Sequence, residues 1–324
     1  MPDSPADRIE LITVGEPMVL LQPPADQRLL GAPALDVYVA GAELNVAAGT
    51  ARFGVRTALA TAVGDDPFGA RLIAAAGELG IDTSLIAMDA AHPTGVFLKD
   101  VTDDGARRVY YYRAGSAAAA MTATDADRVL AARPRALLTS GLTASLGDGP
   151  YALVSRLCRE APAAGISVAF DVNIRPQLGD VAEQGKRSRE LLEGCTQLFI
   201  GTDEATPVFG VDDPDAVIEA ARTAGVAEIV VKAGAAGLWV NGGADTYHLP
   251  SAATSVVDPV GAGDAVAAGY LVGRLRGLAE LPSAWLGNQL AAGIVGALGD
   301  VTGLPTHVEA MELLERAAES GPGA

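Results

Sequence analysis

The chain has 324 residues, 49% of them hydrophobic, enough for one large α/β domain or two small ones. With 40 acidic against 23 basic residues it carries a formal net charge of −17, which argues against nucleic acid and anionic membrane as partners. The opening MPDSPADRIE has neither a basic n-region nor an apolar h-region, and no apolar run approaches the ~18 residues of a membrane span. Neither a signal peptide nor a transmembrane helix is therefore expected.

Residues 9–14 are predicted as the first buried strand, broken by Gly15-Glu16-Pro17. Two short strands, 18–22 and 35–39, precede any helix, which is unusual for a doubly wound fold and points to a small β flap beside the main sheet. Residues 41–54 read as a small-residue helix closed by Gly54 at its C′ position. A strand at 57–63 follows. Asp66-Pro67 then supplies an N-cap and a proline in the first turn of a helix over 68–79. After a short strand at 84–88, two strands at 94–102 and 107–113 flank the turn signal Asp103-Asp104-Gly105. Strand alternation puts Val109, Tyr111 and Arg113 on one face and Tyr110 and Tyr112 on the other. This hairpin completes the flap, whose strands span roughly 18–40 and 94–114.

From Ser116 the chain alternates regularly between strands (136–140, 166–171, 197–200, 228–232) and helices, a pattern that gives a parallel sheet with helices on both faces. A hairpin over 238–249 and helices at 265–276, 282–297 and 307–319 complete it, and SGPGA (320–324) reads as a frayed, flexible tail. No Pro/Ser-rich linker divides residues 8–319, so one domain plus a lid is expected. The two cysteines, Cys158 and Cys195, suggest no disulfide framework and a reducing cytoplasm. His92, His248 and His307 show no metal-ligand spacing.

The most informative stretch is VVDPVGAGDAVAAGY, residues 256–270. An apolar β-type run at 255–257 stops at Asp258-Pro259, and a Gly-Ala-Gly turn leads through Asp264 into a tightly packing helix. Gly261 and Gly263 let the backbone bend and approach a ligand. The N–H groups of Gly261, Ala262, Gly263 and Asp264 have no intrahelical partner and face the positive end of the helix dipole, which makes an anion site. A carboxylate there is electrostatically awkward unless it takes a proton from a hydroxyl attacking a phosphoryl group held by those N–H groups. Elsewhere, FDVNIRP (170–176) ends a buried strand with Asp171, Asn173 and Arg175 on one side, where ligands of open α/β sheets bind. Gly179–Arg187 only superficially suggests a P-loop. Five residues, not four, lie between its glycines, Lys186 is followed by Arg187, and no strand precedes it, so it reads as solvated helix.

The DPVGAGD motif followed by a small-residue helix resembles the C-terminal signature of the ribokinase-like (PfkB) carbohydrate kinases, and the resemblance extends over nearly the whole chain. It implies a ribokinase-like α/β fold: a central, mostly parallel sheet flanked by helices on both faces, with a small β-sheet lid. It also implies ATP and Mg2+, with a monovalent cation as a further option. Carried over residue by residue, it assigns catalysis to Asp264 and to the Gly261, Ala262 and Gly263 turn. Gly41 and Asn45 are assigned to the sugar, and Glu204 to magnesium and its water, although Gly201 replaces the usual Asn of Asn-x-x-Glu. Lys232, Gly234, Gly237, Asn288, Asn173 and Arg175, together with the glycines of the turn, fall on the nucleotide side.

Within the family, Gly15-Glu16-Pro17, VYVAGAELNVA, VYYYRAGSA, DVNIR and Gly299-Asp300 are similar to the 2-keto-3-deoxygluconate kinases. That likeness places Tyr111, Arg113, Arg175 and Asp300 with Asp264 around the substrate. Two departures are evident: Ala40 replaces a frequent Gly, and Phe97 stands where a Tyr is common. The expectation is a cytoplasmic ATP-dependent kinase of a sugar acid, acting on its carbon-6 hydroxyl. A neutral-sugar kinase such as a fructokinase and a non-catalytic sugar-sensing protein are the alternatives. Arg113 and Arg175 are expected to clamp the substrate carboxylate; the alternative for Arg113 is an ion pair with an acid such as Glu16 or Asp36. Open lid edges at Val37 and Val39, with the Tyr110 and Tyr112 face, suggest a homo-oligomer paired through the lid.

Overall fold

A computed structural model describes residues 8–24, 27–101, 107–243, 245–297 and 299–319. The turn Asp103-Asp104-Gly105 and the tail 320–324 lie outside the described residues. The strands are β1 Leu11–Val14, β2 Met18–Gln22, β3 Asp36–Ala40, β4 Thr57–Gly64, β5 Ile86–Asp89, β6 Val96–Val101 and β7 Arg107–Tyr112. They continue with β8 Ala136–Ser140, β9 Ser167–Asp171, β10 Gln197–Gly201, β11 Glu228–Lys232, β12 Leu238–Asn241 and β13 Thr246–Leu249. The helices are α1 Ala42–Arg52, α2 Pro67–Glu78, α3 Ala126–Ala132, α4 Gly141–Ala144, α5 Asp148–Glu160 and α6 Val181–Leu191. After them come α7 Thr202–Phe209, α8 Pro214–Thr223, α9 Ala262–Leu275, α10 Glu280–Val295 and α11 His307–Glu319. No helix among the described residues is long and apolar enough to cross a membrane.

Nine strands form the main sheet in the order β13-β12-β11-β10-β9-β8-β1-β4-β5, parallel from β11 to β5 and antiparallel at the β12–β13 edge. The strands from β8 to β11 are buried almost throughout, as expected where helices cover both faces. One apolar layer packs α5, α6 and α8 against Ile12, Leu137, Phe170 and Leu198. The opposite layer packs α9 and α10 against Leu138, Phe199 and Val230. The small residues of α9 bring it against α10 at Gly269, where a Cβ would strike the backbone of Leu286 and Gly287. The sheet reverses its winding beside β1, which pairs with both β4 and β8, and a crevice opens at the carboxyl ends of these strands.

A separate four-stranded sheet, β3-β2-β6-β7, stands over that crevice. Its inner face carries Met18, Leu20, Ala40, Phe97, Val109 and Tyr111. The predicted alternation holds: Tyr110 and Tyr112 are on the other face and exposed. Val37 and Val39 lie on β3, an edge strand of the lid, but their side chains are partly buried. They pack against Val19, Val63 and Leu72, and Arg71 donates to the Val37 carbonyl at 2.9 Å, so α2 partly covers that end of the lid.

The predicted strand at 255–257 is absent. These residues are extended chain without a sheet partner; Val256 is 67% exposed, and the Val257 and Asp258 N–H groups both donate to the Val295 carbonyl at the end of α10. β-branched residues suit a strand only where a neighbouring strand offers a ladder, and none does here. The Asp66 cap forms as predicted, accepting from the Gly69 N–H at 2.8 Å with Pro67 in the first turn. The segment 179–187 runs into α6. One side of that helix is packed, with Gln184, Gly185 and Ser188 buried.

Candidate active site

A cavity of about 620 Å³ lies between the lid and the carboxyl ends of the main sheet. Of the residues singled out in the sequence, Gly41, Asn45, Tyr111, Arg113, Asn173, Arg175, Glu204, Lys232, Gly234, Gly261, Gly263, Asp264 and Asp300 line it. These positions span 260 residues of sequence and meet because strand ends, helix starts and the inner lid face all border the crevice.

At the centre is the start of α9. Gly261 is its N-cap and holds φ 82°, a left-handed conformation that a side chain at this position would resist. The backbone of Asp300 also stands about 3.0 Å from where a Cβ would lie. Among the described residues, the N–H groups of Gly261, Gly263 and Asp264 meet no acceptor, whereas the Ala262 N–H donates to the Pro259 carbonyl at 3.3 Å. Three free donors remain where four were expected, because the Pro259 turn takes one. Asp264, in the first turn, accepts from Asn45 Nδ2 at 2.8 Å. Asn45 is buried on α1, and its Oδ1 has no hydrogen-bond partner among the described residues. Burial pushes the Asp264 carboxyl up to about 7; the Asn45 hydrogen bond pulls it down and the negative charge of Asp171 adds to the push. The result is a carboxylate balanced near neutrality beside open backbone donors.

Gly41, at the N-cap of α1, has φ 149°, and a Cβ there would meet the Glu16 carbonyl and Pro17 Cα within 3 Å. Chain crowding thus accounts for its lack of a side chain, and it leaves the start of α1 open to the cavity. On the far side, Lys232 ends β11 and donates to both oxygens of Asp171, at 2.7 and 2.9 Å. Burial alone would lower its pKa; Asp171 and then Glu204 outweigh that and hold the ammonium above its usual range. Glu204 accepts from the Gly201 N–H at 2.6 Å and the Ile174 N–H at 3.0 Å, and burial pushes its carboxyl up. Asn173 sits at φ 43°, buried in the loop after β9. Arg175, two residues on, is exposed to the cavity and its guanidinium has no acid partner among the described residues. Its backbone is clamped by Gln184, whose Oε1 accepts from the Arg175 N–H at 3.0 Å and whose Nε2 donates to the Arg175 carbonyl at 2.9 Å.

For Arg113 the ion pair with Glu16, given as the alternative, is the one that forms, and two of the nucleotide-side residues stand apart from the cavity lining. Arg113 is not a free cation. It is 5% exposed, its Nε donates to Glu16 Oε2 at 2.6 Å, and Ser116 Oγ donates to the other Glu16 oxygen at 2.5 Å. Arg113 Nη2 lies 2.5 Å from the same Glu16 oxygen but is not aligned for a hydrogen bond. Arg113 therefore reaches the cavity already neutralised. Asn288 lies outside the cavity lining: it accepts from the Ala252 N–H and donates to the Pro250 carbonyl, holding the loop after β13. Gly237 also lies outside, packed against the backbone of Leu249 and Pro250 where no side chain fits.

Sequence reasoning also missed three residues. Lys99 lines the cavity and donates to Asp300 at 3.1 Å. Asp203 lines it beside Glu204. Gln184 positions Arg175. Lys99 was within reach, since it stands two residues beyond Phe97 on the same face of β6.

The comparisons with known proteins agree with this fold. The family model described as pfkB family carbohydrate kinase matches residues 8–307. The chain is 32% identical over 311 residues to a 2-dehydro-3-deoxygluconokinase of Thermoproteus tenax, covering 95% of this chain and 94% of the relative. It is 30% identical over 303 residues to a 2-dehydro-3-deoxygluconokinase of Bacillus subtilis, covering 93% and 94%. A crystal structure of a PfkB protein from Polaromonas sp. JS666 superposes with a TM-score of 0.82 at 33% identity, covering 93% of this chain and 98% of the other. A nine-stranded sheet with a lid, an aspartate set among open helix-start donors, and a family match across nearly the whole chain lead to one conclusion: this chain belongs to the pfkB family of carbohydrate kinases.

Proposed function

We propose that the chain transfers a phosphoryl group from ATP to the carbon-6 hydroxyl of a sugar acid, 2-keto-3-deoxygluconate, giving 2-keto-3-deoxy-6-phosphogluconate. The single observation that carries the reading is Asp264, balanced near pH 7 and held by Asn45 beside the free N–H groups of Gly261, Gly263 and Asp264. In this reading Asp264 takes the hydroxyl proton as the oxygen attacks, and the N–H groups stabilise charge on the transferring phosphoryl group. Gly234 and Lys232 lie on the nucleotide side, while Gly41, Asn45, Tyr111, Arg175 and Asp300 surround the sugar.

Magnesium suits the site through Glu204, whose carboxylate lines the cavity with each oxygen already oriented by one backbone N–H and open to a second contact. Magnesium usually keeps several waters and few protein ligands, so Glu204 would hold metal-bound water. The bound ion would offset charge on the phosphates. Sugar-acid specificity rests on Arg175, whose guanidinium opens into the cavity of a −17 protein with no ion-pair partner among the described residues, and on the names of the two relatives. The neutral-sugar reading is kept for a specific reason: Arg113 is neutralised by Glu16, which leaves the cavity poorer in free positive charge than the sequence suggests.

A coupled ADP-release assay across sugars and sugar acids tests the reading. Turnover should be highest with 2-keto-3-deoxygluconate; a preference for fructose would replace it with the neutral-sugar reading. A protein that turned over no sugar would instead favour a sensing role. The base role adds a pH dependence. kcat/KM should fall about tenfold per pH unit below about 7, as Asp264 becomes protonated, and level off above. A profile flat from pH 5 to 8 would remove Asp264 as the base.

The reading includes a homo-oligomer paired through the lids. Tyr110 and Tyr112, 41% and 68% exposed, form an aromatic surface on the outer lid face that a second lid would cover. Light scattering at micromolar concentration should give at least a dimer, and a monomer would contradict this pairing.

A further inference from the structure

Four cationic side chains line the cavity, and two are already committed: Arg113 to Glu16 and Lys232 to Asp171. Arg175 is in no ion pair among the described residues, and Lys99 is paired through a single contact, to one oxygen of Asp300. Lys99 projects from β6 on the inner lid face, in the layer beyond Phe97, where it pairs across the sheet with Val109. Its Nζ lies 3.1 Å from Asp300 Oδ1 and 5.9 Å from the centre of the Phe97 ring. Asp300 belongs to the segment after α10, and its backbone crowds Gly261 at the start of α9. The Lys99–Asp300 pair therefore spans the cavity from the lid to the flank of the phosphate-binding turn.

An ammonium has three donors. Asp300 takes one, and the pair is only partly buried, with side chains 18% and 9% exposed, so Lys99 can hold a second anion without releasing Asp300. Phe97 lacks the hydroxyl that a tyrosine would bring, so the inner lid face offers the Tyr111 hydroxyl and, one layer on, the Lys99 ammonium. Building on the sugar-acid reading, we propose that Lys99 is a specificity-determining residue: it binds the substrate carboxylate from the lid side, together with Arg175 from the sheet side. Asp300, fixed by the same lysine, presents its other oxygen to a sugar hydroxyl. A neutral ketose would gain only the Asp300 contact.

The test compares the dissociation constants of 2-keto-3-deoxygluconate and its neutral carboxamide, by calorimetry on the full chain. The wild type should bind the acid about ten- to a hundredfold more tightly, the scale of one charged hydrogen bond. Lys99→Met should remove most of that preference, and Lys99→Arg should retain it. If Lys99→Met weakened acid and amide equally, or left the preference intact, the lysine would only be pinning Asp300 and the proposal would be overturned while the sugar-acid reading stood. A wild type that bound acid and amide alike would overturn the reading and this inference together.

Discussion

Replacing Asp264 by Asn is expected to lower turnover by about 10²–10⁴-fold, the usual contribution of a general base. The substitution keeps size and shape and leaves the Gly261 and Gly263 donors in place. ATP binding should therefore change little, and the loss should appear in kcat. The Asn45 carboxamide can reorient to accept from the new amide, since its Oδ1 has no hydrogen-bond partner among the described residues. A second effect follows from linkage. The Asp264 carboxyl sits at about 7 when folded, against an ordinary aspartate value of 3.8. Between those values the folded state holds a proton that the unfolded chain has released, so stability from this group is full below about 4 and is lost as pH rises through 7. Asp264→Asn has no such loss. The variant should be more stable than wild type above pH 7, with the gap closing toward pH 4, in urea titrations at a series of pH values. A slow but more stable enzyme would be the mark of a functional charge held at a cost in stability. Near wild-type turnover would remove Asp264 from the proposed role.

Arg113→Ala carries the second large effect, and here the structure changes what the sequence suggests. Read along the chain, Arg113 was a substrate clamp whose loss would hurt only the sugar acid. In the fold it is the partner of Glu16, which is 2% exposed and would keep only the Ser116 hydroxyl. Removing one member of a buried pair strands the other charge, a loss of about 3–5 kcal/mol. Glu16 lies in the turn joining β1 to the lid strand β2, so the lid should loosen as a unit and activity on any sugar should fall. Chemical denaturation should show the destabilisation, and the double substitution Glu16→Gln with Arg113→Met should recover much of it. A destabilisation below about 1 kcal/mol, with loss confined to the sugar acid, would return Arg113 to the substrate.

What was legible in the sequence was local. Gly261 announces a positive φ, Asp66-Pro67 announces a helix start, and the alternation in 107–113 separates cavity-facing Tyr111 from outward Tyr110 and Tyr112. Each of these depends on neighbours within a few residues. What was left open or missed depends on partners far apart: the Glu16 pairing of Arg113 stood only as the alternative, and the Lys99 pairing was not seen. Arg113 meets Glu16 across 97 positions, and Lys99 meets Asp300 across 201. No periodicity encodes such a pairing. The segment 255–257 fails for a related reason: its β-branched side chains have strand character, but a strand exists only where another supplies the ladder, and here the end of α10 takes the hydrogen bonds. Asn288 and Gly237 match their motif positions, and both also hold the loop after β13, a structural part that the motif did not announce.

The central claim is transfer of phosphate from ATP to carbon 6 of a sugar acid. It is tested most directly by incubating the wild-type chain with ATP, magnesium and 2-keto-3-deoxygluconate and following the products by phosphorus NMR and mass spectrometry. The expected result is stoichiometric ADP and a single new phosphomonoester coupled to the carbon-6 protons. Phosphate on another carbon, ADP formed without the sugar acid, or faster conversion of fructose under the same conditions would contradict it.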